Sequence, residues 1–284
     1  MKVEGGLSKS IIAYYRVSER SYQNWGKDLD RPEIYALHCG FHPDGKTIDQ
    51  HESVKLMSRK IIGLADIKPM EKVLDAGCGS GSLLFEAAEQ YSMTQFFGIN
   101  ISPNQLEIAQ RYIQNKCISN AKVSFQNYLK TAFPNNIFDK IIYSESATHS
   151  PDNRALLAEA KRLLIPGGGI IISDAFLTQN FKEGSKEKEL IDMAEEGWLL
   201  PNIPTISELS QNLEGVGFYD IEIEDITVNT LPSTYIMAVN AAKRLEQQGN
   251  SGDQLSKSRL ACVAADQLMR IGIFGYYWIS AKAK

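Results

Sequence analysis

The sequence predicts an α/β protein, built on a doubly wound and mostly parallel sheet with an N-terminal helical lid and helical cap insertions. Three observations predict this fold. From Lys72 onward, short β-branched runs alternate with amphipathic segments, as is typical of a parallel sheet that helices cover on both faces. A glycine-rich turn follows the first of these runs. The chain has 284 residues, of which 43% are hydrophobic, so it is long enough to bury one elaborated core.

The predicted strands are the apolar and β-branched runs at 72–76, 95–99, 122–126, 138–143 and 169–174. Helices are predicted between them at 82–90, 102–116 and 153–164, because apolar residues recur there at i, i+3 and i+4. Ser102 and Asp152 have side chains suited to capping the second and third of these helices. The third helix must end at IPGGG, because Pro166 cannot continue it and the glycines allow a turn into the next strand.

The chain is predicted to fold as one integrated domain with four parts. These are a helical lid at 1–60, a ligand-binding core at 61–175, a cap segment at 176–217, and final strands with inserted C-terminal helices at 218–284. The inserted helices are expected at 232–247 and 254–270. The stretch EQQGNSGDQLSKS, at 246–258, has the composition of a flexible polar linker.

Charge and hydropathy exclude two classes of partner. The formal net charge of −4 leaves no basic face that could neutralise many phosphates, so nucleic acid is not an expected partner. No apolar run reaches the roughly 18 residues of a membrane span, and the N-terminus lacks the apolar region of a signal peptide. The sequence therefore predicts a cytoplasmic protein without stable membrane insertion, acting on a small molecule.

Cysteines and histidines give no pattern of a metal site. The cysteines are widely spread without a CxxC pair, which predicts reduced thiols rather than a disulfide framework: Cys39, Cys78, Cys117 and Cys262. His38, His42 and His51 lie close in sequence, but no fourth ligand follows at a recognisable spacing. No metal is expected.

The glycine-rich turn VLDAGCGSGS is the strongest motif. It follows a strand and opens a helix, the context in which backbone N–H groups approach a ligand closely. Here the sequence resembles the class I S-adenosylmethionine-dependent methyltransferases, whose sheet is Rossmann-like. The resemblance implies S-adenosyl-L-methionine as cofactor and S-adenosyl-L-homocysteine as product. It assigns the methionine end of the cofactor to Asp75, Gly77, Cys78, Gly79 and Gly81.

Asn100 stands where most members of this class have an acidic residue that accepts both ribose hydroxyls. GINISPNQLEIAQ is similar to a variant in the branch that includes cyclopropane synthases, sterol and tocopherol methyltransferases, and sugar or natural-product O-methyltransferases. There a neutral side chain and a following glutamine share the ribose. These roles fall on Asn100 and Gln105, with Ile101 beside them, although Asn100 as a simple turn residue stays open.

The same branch implies further cofactor contacts, and the resemblance covers roughly 30–228. Asn127 takes a place where many relatives have an aspartate at the adenine amino group, Tyr128 follows as a residue that can pack on the base, and Ser144 follows the fourth predicted strand. LHCGFH is similar to LHxGYW, which places His38 near the methionine end. His42 replaces the usual aromatic residue and predicts a more polar pocket.

SESATHSPDN and the later aspartate of ISDAF resemble a pattern of that branch. Glu145 and His149 follow the fourth strand and Asp174 ends the fifth, so all three are expected at one edge of the sheet. His149 suits a general base for a hydroxyl acceptor, with Asp174 orienting or charging it. Glu145 suits the stabilisation of a carbocation when carbon is methylated. Structural roles remain open: lid contacts for Glu145, helix capping for His149 and loop amides for Asp174.

Three functional hypotheses follow from these residues. The first is methyl transfer to a hydroxyl of a small, largely apolar natural product, typical of secondary metabolite biosynthesis. The second is C-methylation of an isoprenoid or aromatic carbon. The third is a non-catalytic cofactor-binding scaffold, which has no reason to keep three convergent titratable groups.

The acceptor pocket is expected under the lid and cap. Aromatic side chains there are candidate acceptor contacts, although such spacing is also typical of a core: Tyr14, Tyr15, Tyr22 and Trp198. A prenyl diphosphate acceptor would need cations, which Arg16, Arg20 and Lys27 could supply, but charges on an amphipathic helix usually form a solvated face. The C-terminal helices are expected to shape the acceptor pocket or a homodimer interface.

Overall fold

The computed structural model describes residues 6–27, 29–181 and 183–284, with side chains described from residue 10 onward. Within these ranges seven strands form one sheet: β1 (Lys72–Ala76), β2 (Gln95–Asn100), β3 (Ala121–Phe125), β4 (Phe138–Ser144), β5 (Leu164–Leu177), β6 (Phe218–Asp225) and β7 (Phe274–Ala283). Their order is β3-β2-β1-β4-β5-β7-β6. Strands β1 to β5 pair in parallel, and β7 runs antiparallel between β5 and β6.

Helices cover both faces of this sheet, which confirms the predicted fold class. The described helices are α1 (Gly6–Trp25), α2 (Gln50–Leu64), α3 (Ser82–Gln90), α4 (Pro103–Lys116), α5 (Asn153–Leu163), α6 (Lys186–Trp198), α7 (Ile206–Val216), α8 (Thr227–Gln248) and α9 (Gln254–Arg270). One apolar layer contains α2, α3 and α9, and the other contains α5 and α7. No helix in the described ranges combines the length and apolarity that a membrane span requires.

The five predicted strands are all present, but the fifth is longer than predicted. It extends from Leu164 to Leu177, because 169–177 pairs along its length with β7. Asp174 therefore lies within β5, three residues before its end, and not at the end as the sequence predicted. The antiparallel partner lies about a hundred residues further along the chain, so the local pattern does not show how far the strand continues.

Helix ends follow the predicted capping residues in part. The Asp152 carboxylate accepts a hydrogen bond from the Ala155 amide and caps α5, as predicted. Ser102 is the N-cap residue of α4, but its side chain makes no capping hydrogen bond. The domain boundaries predicted at 60 and 175 fall inside α2 and β5, so the lid and core are continuous through these elements.

The C-terminal helices are longer than predicted, and the predicted linker is correspondingly shorter. Helix α8 begins at Thr227 and continues to Gln248, and α9 begins at Gln254. Only 249–253 of the stretch 246–258 therefore connects helices. The Asp253 carboxylate caps α9 by accepting from the Ser256 amide, so polar residues that resemble a linker in sequence serve as helix ends. The predicted homodimer through these helices stays a prediction.

Helix α1 and the loop after it lie over the carboxyl ends of the parallel strands. The Tyr14 hydroxyl is 3.1 Å from the Ser258 hydroxyl of α9, which ties α1 to the C-terminal helices. The Ser80 hydroxyl donates to the Tyr35 carbonyl at 2.7 Å and accepts from the Tyr35 amide at 2.9 Å. The N-terminal segment is thus fixed to the glycine-rich turn, at the edge of the sheet where ligands bind in such folds.

Candidate functional site

The glycine-rich turn after β1 requires glycine for two reasons. Gly77 and Gly79 have φ angles of 93° and 54°, a region that other residues rarely adopt. A Cβ atom on Gly77 would also lie 2.5 Å from Cβ of Ser146, and one on Gly79 would lie 2.5 Å from Cδ1 of Leu37. The turn thus packs directly against the loop after β4 and against the N-terminal segment.

A cavity of about 80 Å³ lies beside this turn. Its lining contains ten of the twelve predicted cofactor contacts: His38, Asp75, Gly77, Cys78, Gly79, Asn100, Ile101, Gln105, Tyr128 and Ser144. Gly81 and Asn127 are not in the lining. Gly81 precedes α3 and packs on Phe85, and the Asn127 side-chain carbonyl accepts from the Leu129 amide in a local turn.

Several polar groups around this cavity lack hydrogen-bond partners in the described part of the chain. They include the buried Nε2 of Gln105 and the buried Oγ of Ser144. No hydrogen bond between described residues reaches the Asp75 carboxyl either, and burial raises its pKa to about 7. Because buried polar groups in folded proteins nearly always have partners, this set fits a ligand that offers hydrogen-bond donors and acceptors.

Asn100 and Gln105 form a bonded pair at the end of β2. The Asn100 amide donates to Oε1 of Gln105 at 2.7 Å and to the Gly79 carbonyl at 3.3 Å. Its side-chain oxygen accepts from the amides of Ile101 and Ser102. Asn100 therefore orders two turns, as the turn-residue alternative proposed. It also fixes Gln105, which keeps Nε2 as an unpartnered donor.

A second cavity of about 860 Å³ lies between α1, α8, α9 and the carboxyl ends of β4 and β5. Three of the four candidate acceptor contacts line it: Tyr15, Tyr22 and Trp198. Tyr14 does not, because its buried hydroxyl bonds to Tyr22 and Ser258 between the helices. The volume is within the roughly 300–1,000 Å³ that is typical of small-molecule sites.

The cations proposed for a diphosphate are also absent from this lining. The three residues considered for this role are exposed, in agreement with the solvated-face alternative, and do not line the cavity: Arg16, Arg20 and Lys27. Three other cations line it instead, namely Lys243, Arg244 and Arg259 of the C-terminal helices. These three residues were not predicted from the sequence. In the sequence each of them is only a basic residue within a predicted helix, and such a residue is equally typical of a solvated face.

Four residues line both cavities and therefore separate them: Tyr15, Leu37, Glu145 and His149. We call this set the junction. His149 lies in a short 3₁₀ turn (Ala147–His149) after β4, and its Nε2 is 3.2 Å from the Tyr15 hydroxyl. Its buried Nδ1 has no partner among the described residues. Burial lowers the pKa of His149 to about 4, so the imidazole is neutral at physiological pH.

Glu145 connects the junction to the N-terminal segment. Its Oε1 accepts from the Cys39 amide at 2.7 Å and from the Tyr276 hydroxyl at 2.8 Å. Burial raises the pKa of this carboxyl to about 7, while the Cys39 amide opposes that rise. Its backbone φ of 45° is unusual for a residue other than glycine. The bond from the Cys39 amide is the lid-backbone contact that the sequence left open as a structural role for Glu145. Glu145 makes this contact and also lies between the two cavities.

Asp174 holds the turn that carries His149 but does not bond to His149 itself. Its carboxylate accepts from the Thr148 hydroxyl at 3.0 Å, the Thr148 amide at 3.1 Å and the Ala175 amide at 2.9 Å. Burial raises its pKa to about 6. The resemblance implied that Asp174 orients or charges His149 directly. Instead, Asp174 acts on His149 only through Thr148, the residue before it. The helix-capping alternative for His149 is wrong, because Asp152 caps α5.

Asp75 gives a pH-dependent prediction for the cofactor-free protein. Its folded-state pKa of about 7 exceeds the ordinary value of 3.8, so this group stabilises the fold below pH 4 and loses that contribution as pH rises towards 7. We expect Asp75→Asn to raise the free energy of unfolding at pH 8, by on the order of 2–4 kcal/mol, and to change it little at pH 4. Urea denaturation at both pH values measures this, with exposed Asp44→Asn as control. An equal effect of Asp75→Asn at both pH values would contradict the assignment.

Comparisons with known proteins place this geometry in context. The sequence model of a family described as "Methyltransferase domain" matches residues 67–229. The chain is 26% identical over 219 residues to 24-methylenesterol C-methyltransferase 3 of Arabidopsis thaliana, covering 76% of this chain and 58% of that protein. It is 29% identical over 192 residues to O-methyltransferase rstn1 of Aspergillus nomiae, covering 67% and 83%.

A solved structure confirms the fold over nearly the whole chain. Geranyl diphosphate methyltransferase in complex with geranyl diphosphate and sinefungin superposes with a TM-score of 0.78 at 18% identity, covering 99% of this chain and 100% of that one. At this identity the likeness establishes the fold alone. The chain spans less than two thirds of the length of the sterol methyltransferase, so activity and substrate must be argued from the site itself.

Proposed function

The chain belongs to the methyltransferase domain family, and we propose that it transfers a methyl group from S-adenosyl-L-methionine to a small, largely apolar acceptor. The observation that carries this proposal is the pair of cavities that meet at the junction. Ten of the twelve predicted cofactor contacts line the smaller one, and the larger one has room and aromatic lining for an acceptor. A methyl donor and its acceptor require this arrangement, because the reacting atoms must approach in line.

The residues of the smaller cavity fit S-adenosylmethionine. In this proposal the Asp75 carboxyl receives the amino group of the methionine moiety, and Nε2 of Gln105, which has no partner among the described residues, donates to a ribose hydroxyl. The ring of Tyr128 offers a face for the adenine. The cavity of about 80 Å³ is smaller than the whole cofactor, so binding requires its lining to open.

The junction residues supply what transfer to a hydroxyl needs. When bound, S-adenosylmethionine supplies an electrophilic methyl group on a sulfonium. Neutral His149 is a base whose Nε2 accepts the proton of the acceptor hydroxyl in place of the Tyr15 hydroxyl. Asp174 holds the turn that carries His149, through Thr148. Helix α1 places Tyr15 against His149 and so limits the access of water to the half-buried junction.

Methylation of a carbon is the second candidate, and the position of Glu145 favours it. Its carboxyl group lies at the same junction and bonds to the Tyr276 hydroxyl. A carboxylate and aromatic rings there would stabilise the carbocation that forms when a double bond takes the methyl group. The two candidates differ in the essential side chain, His149 for the hydroxyl and Glu145 for the carbon.

Calorimetric titration tests the cofactor part of this proposal. We expect S-adenosylmethionine and S-adenosylhomocysteine to bind with micromolar affinity, one molecule per chain, and NAD to give no binding heat. NAD is the matched control because it shares the adenosine but carries a pyrophosphate, and the turn offers neither a basic side chain nor a GxGxxG spacing for it. Binding of NAD in preference to the other two would overturn the proposal.

A further inference from the structure

Arg259 of α9 is a buried cation in the wall of the larger cavity. The residue is only 8% exposed. Its Nη2 donates to the Oε1 of Gln248 at 2.8 Å, while its buried Nε has no partner in the described part of the chain. Guanidinium groups carry five N–H donors in a planar fork, so most of this donor capacity is unused by the protein.

The Arg259 guanidinium interacts electrostatically with the exposed Asp253 carboxylate but forms no ion pair with a described carboxylate. Lys243 and Arg244 of α8 line the same cavity with exposed side chains, and no described carboxylate forms an ion pair with any of these three cations. Glu145 and Asp174 are the only carboxylates in the described lining, and both lie where the cavity meets the sheet. The described lining thus has cations on α8 and α9, and carboxylates where the cavity meets β4 and β5.

A buried guanidinium without an ion pair is costly unless an anion compensates it. Taking a charge out of water costs several kcal/mol in proteins unless paired, and a partner with two oxygens uses the planar fork best. Lys243 and Arg244, being exposed, attract such a ligand from solution. The arrangement therefore fits a ligand with a carboxylate or phosphate oxygen group at one end.

Apolar and aromatic side chains connect the two ends of the cavity. Tyr15 and Tyr22 line the face of α1, with ring centroids 6.0 Å apart. Further apolar side chains of the lining are Trp198, Leu200, Ile203, Met237, Leu255 and Phe274. An acceptor anchored at Arg259 therefore needs an apolar body to reach His149.

We propose that the acceptor carries an anionic oxygen group which binds Arg259, while its apolar body lies along the tyrosines and presents the reacting atom at the junction. This inference rests on the proposed methyl transfer for which end of the acceptor reacts. The anion site itself is inferred from the cavity lining alone. The same chemistry suits a carboxylic acid and a phosphate ester. Arg259 thereby selects the acceptor class.

Binding of chain-matched probes tests this inference. Protein saturated with S-adenosylhomocysteine is titrated with decanoate, decyl phosphate and decanol, which share the alkyl body and differ in the end group. We expect at least one anionic probe to bind about 10- to 100-fold more tightly than decanol. The anion with the larger advantage identifies a carboxylic acid or a phosphate ester as the source. Equal binding of all three by the wild-type protein would overturn the inference without any variant.

Variants of Arg259 test whether this residue causes the preference for the anionic probe. Arg259→Met is expected to remove the advantage of the anionic probe while binding of decanol and S-adenosylhomocysteine changes less than about threefold. Arg259→Lys, which keeps the charge, is expected to restore part of it. Arg111→Gln, an exposed arginine of α4, is the control and should change nothing. If Arg259→Met lost affinity for the anionic probe and for decanol equally, the anion site would be contradicted. If S-adenosylhomocysteine failed to bind even the wild-type protein, the proposed function would be contradicted instead.

Discussion

Replacing His149 by alanine is expected to lower turnover of a hydroxyl acceptor by about 10²- to 10⁴-fold, the usual contribution of a general base. His149 lies at the junction, is neutral because burial lowers its pKa to about 4, and has Nε2 directed at a hydroxyl group. The affinity for S-adenosylhomocysteine should change far less than turnover. Turnover at saturating acceptor, measured with labelled methyl donor, separates these effects.

His51→Ala is the control for this prediction, because His51 lines the same cavity but is not part of the junction. Its turnover should remain near that of the wild type. If His149→Ala also remained near wild type while Glu145→Gln abolished transfer, a hydroxyl acceptor would be excluded and methylation of carbon would be favoured.

The pH profile gives a second distinction between the two residues. A rate that depends on neutral His149 should be nearly constant between pH 6 and 8, because burial lowers the pKa of this group to about 4. A rate that requires ionised Glu145 should rise through pH 7, since burial raises the pKa of that carboxyl to about 7.

Replacing Gly79 by valine is expected to abolish binding of S-adenosylhomocysteine. Gly79 has a φ of 54°, which a β-branched residue adopts only under strain, and its Cβ would lie 2.5 Å from Cδ1 of Leu37. The backbone strain displaces the turn, and the added methyl groups take up space at the wall of the smaller cavity that Gly79 and Leu37 both line. Calorimetric titration of the folded variant measures the loss, which we expect to exceed about 100-fold.

Gly167→Val is the matched control for this substitution. Gly167 also has a positive φ, of 80°, but a Cβ atom added there would meet no described atom within 4 Å. The control therefore carries a similar backbone strain at the start of β5, away from both cavities. If Gly79→Val bound the cofactor with normal affinity, this turn would not be the cofactor site. If both variants lost affinity equally, the loss would be a general effect of backbone strain.

The parallel sheet and the smaller cavity could be predicted from sequence because their signals are local. Each strand is a short apolar run, and β1 passes directly into the glycine-rich turn. Residues at the carboxyl ends of parallel strands share one edge, so Asp75, Asn100 and Ser144 converge without further information. Their predicted roles in binding remain proposals, but their placement follows from topology.

The contacts between distant elements could not be predicted in this way. Tyr14 and Tyr15 are adjacent and chemically identical, yet one is buried against α9 and the other faces His149. Asp174 could be placed near His149, but the choice of Thr148 as its partner depends on how the turn after β4 bends. Arg259 lines the cavity only because α9 packs beside it, which the sequence of α9 does not show. Helical periodicity gives the buried face of a helix, not the element that covers it.

Transfer of a labelled methyl group tests the central claim most directly. The protein is incubated with methyl-labelled S-adenosylmethionine and apolar alcohols and alkenes that carry a carboxylate or phosphate at one end, and labelled products are identified by mass spectrometry. We predict label on an acceptor, formation of S-adenosylhomocysteine, and loss of both in Gly79→Val. A folded protein that binds S-adenosylmethionine but labels none of these acceptors would contradict methyl transfer to this class and favour a cofactor-binding scaffold.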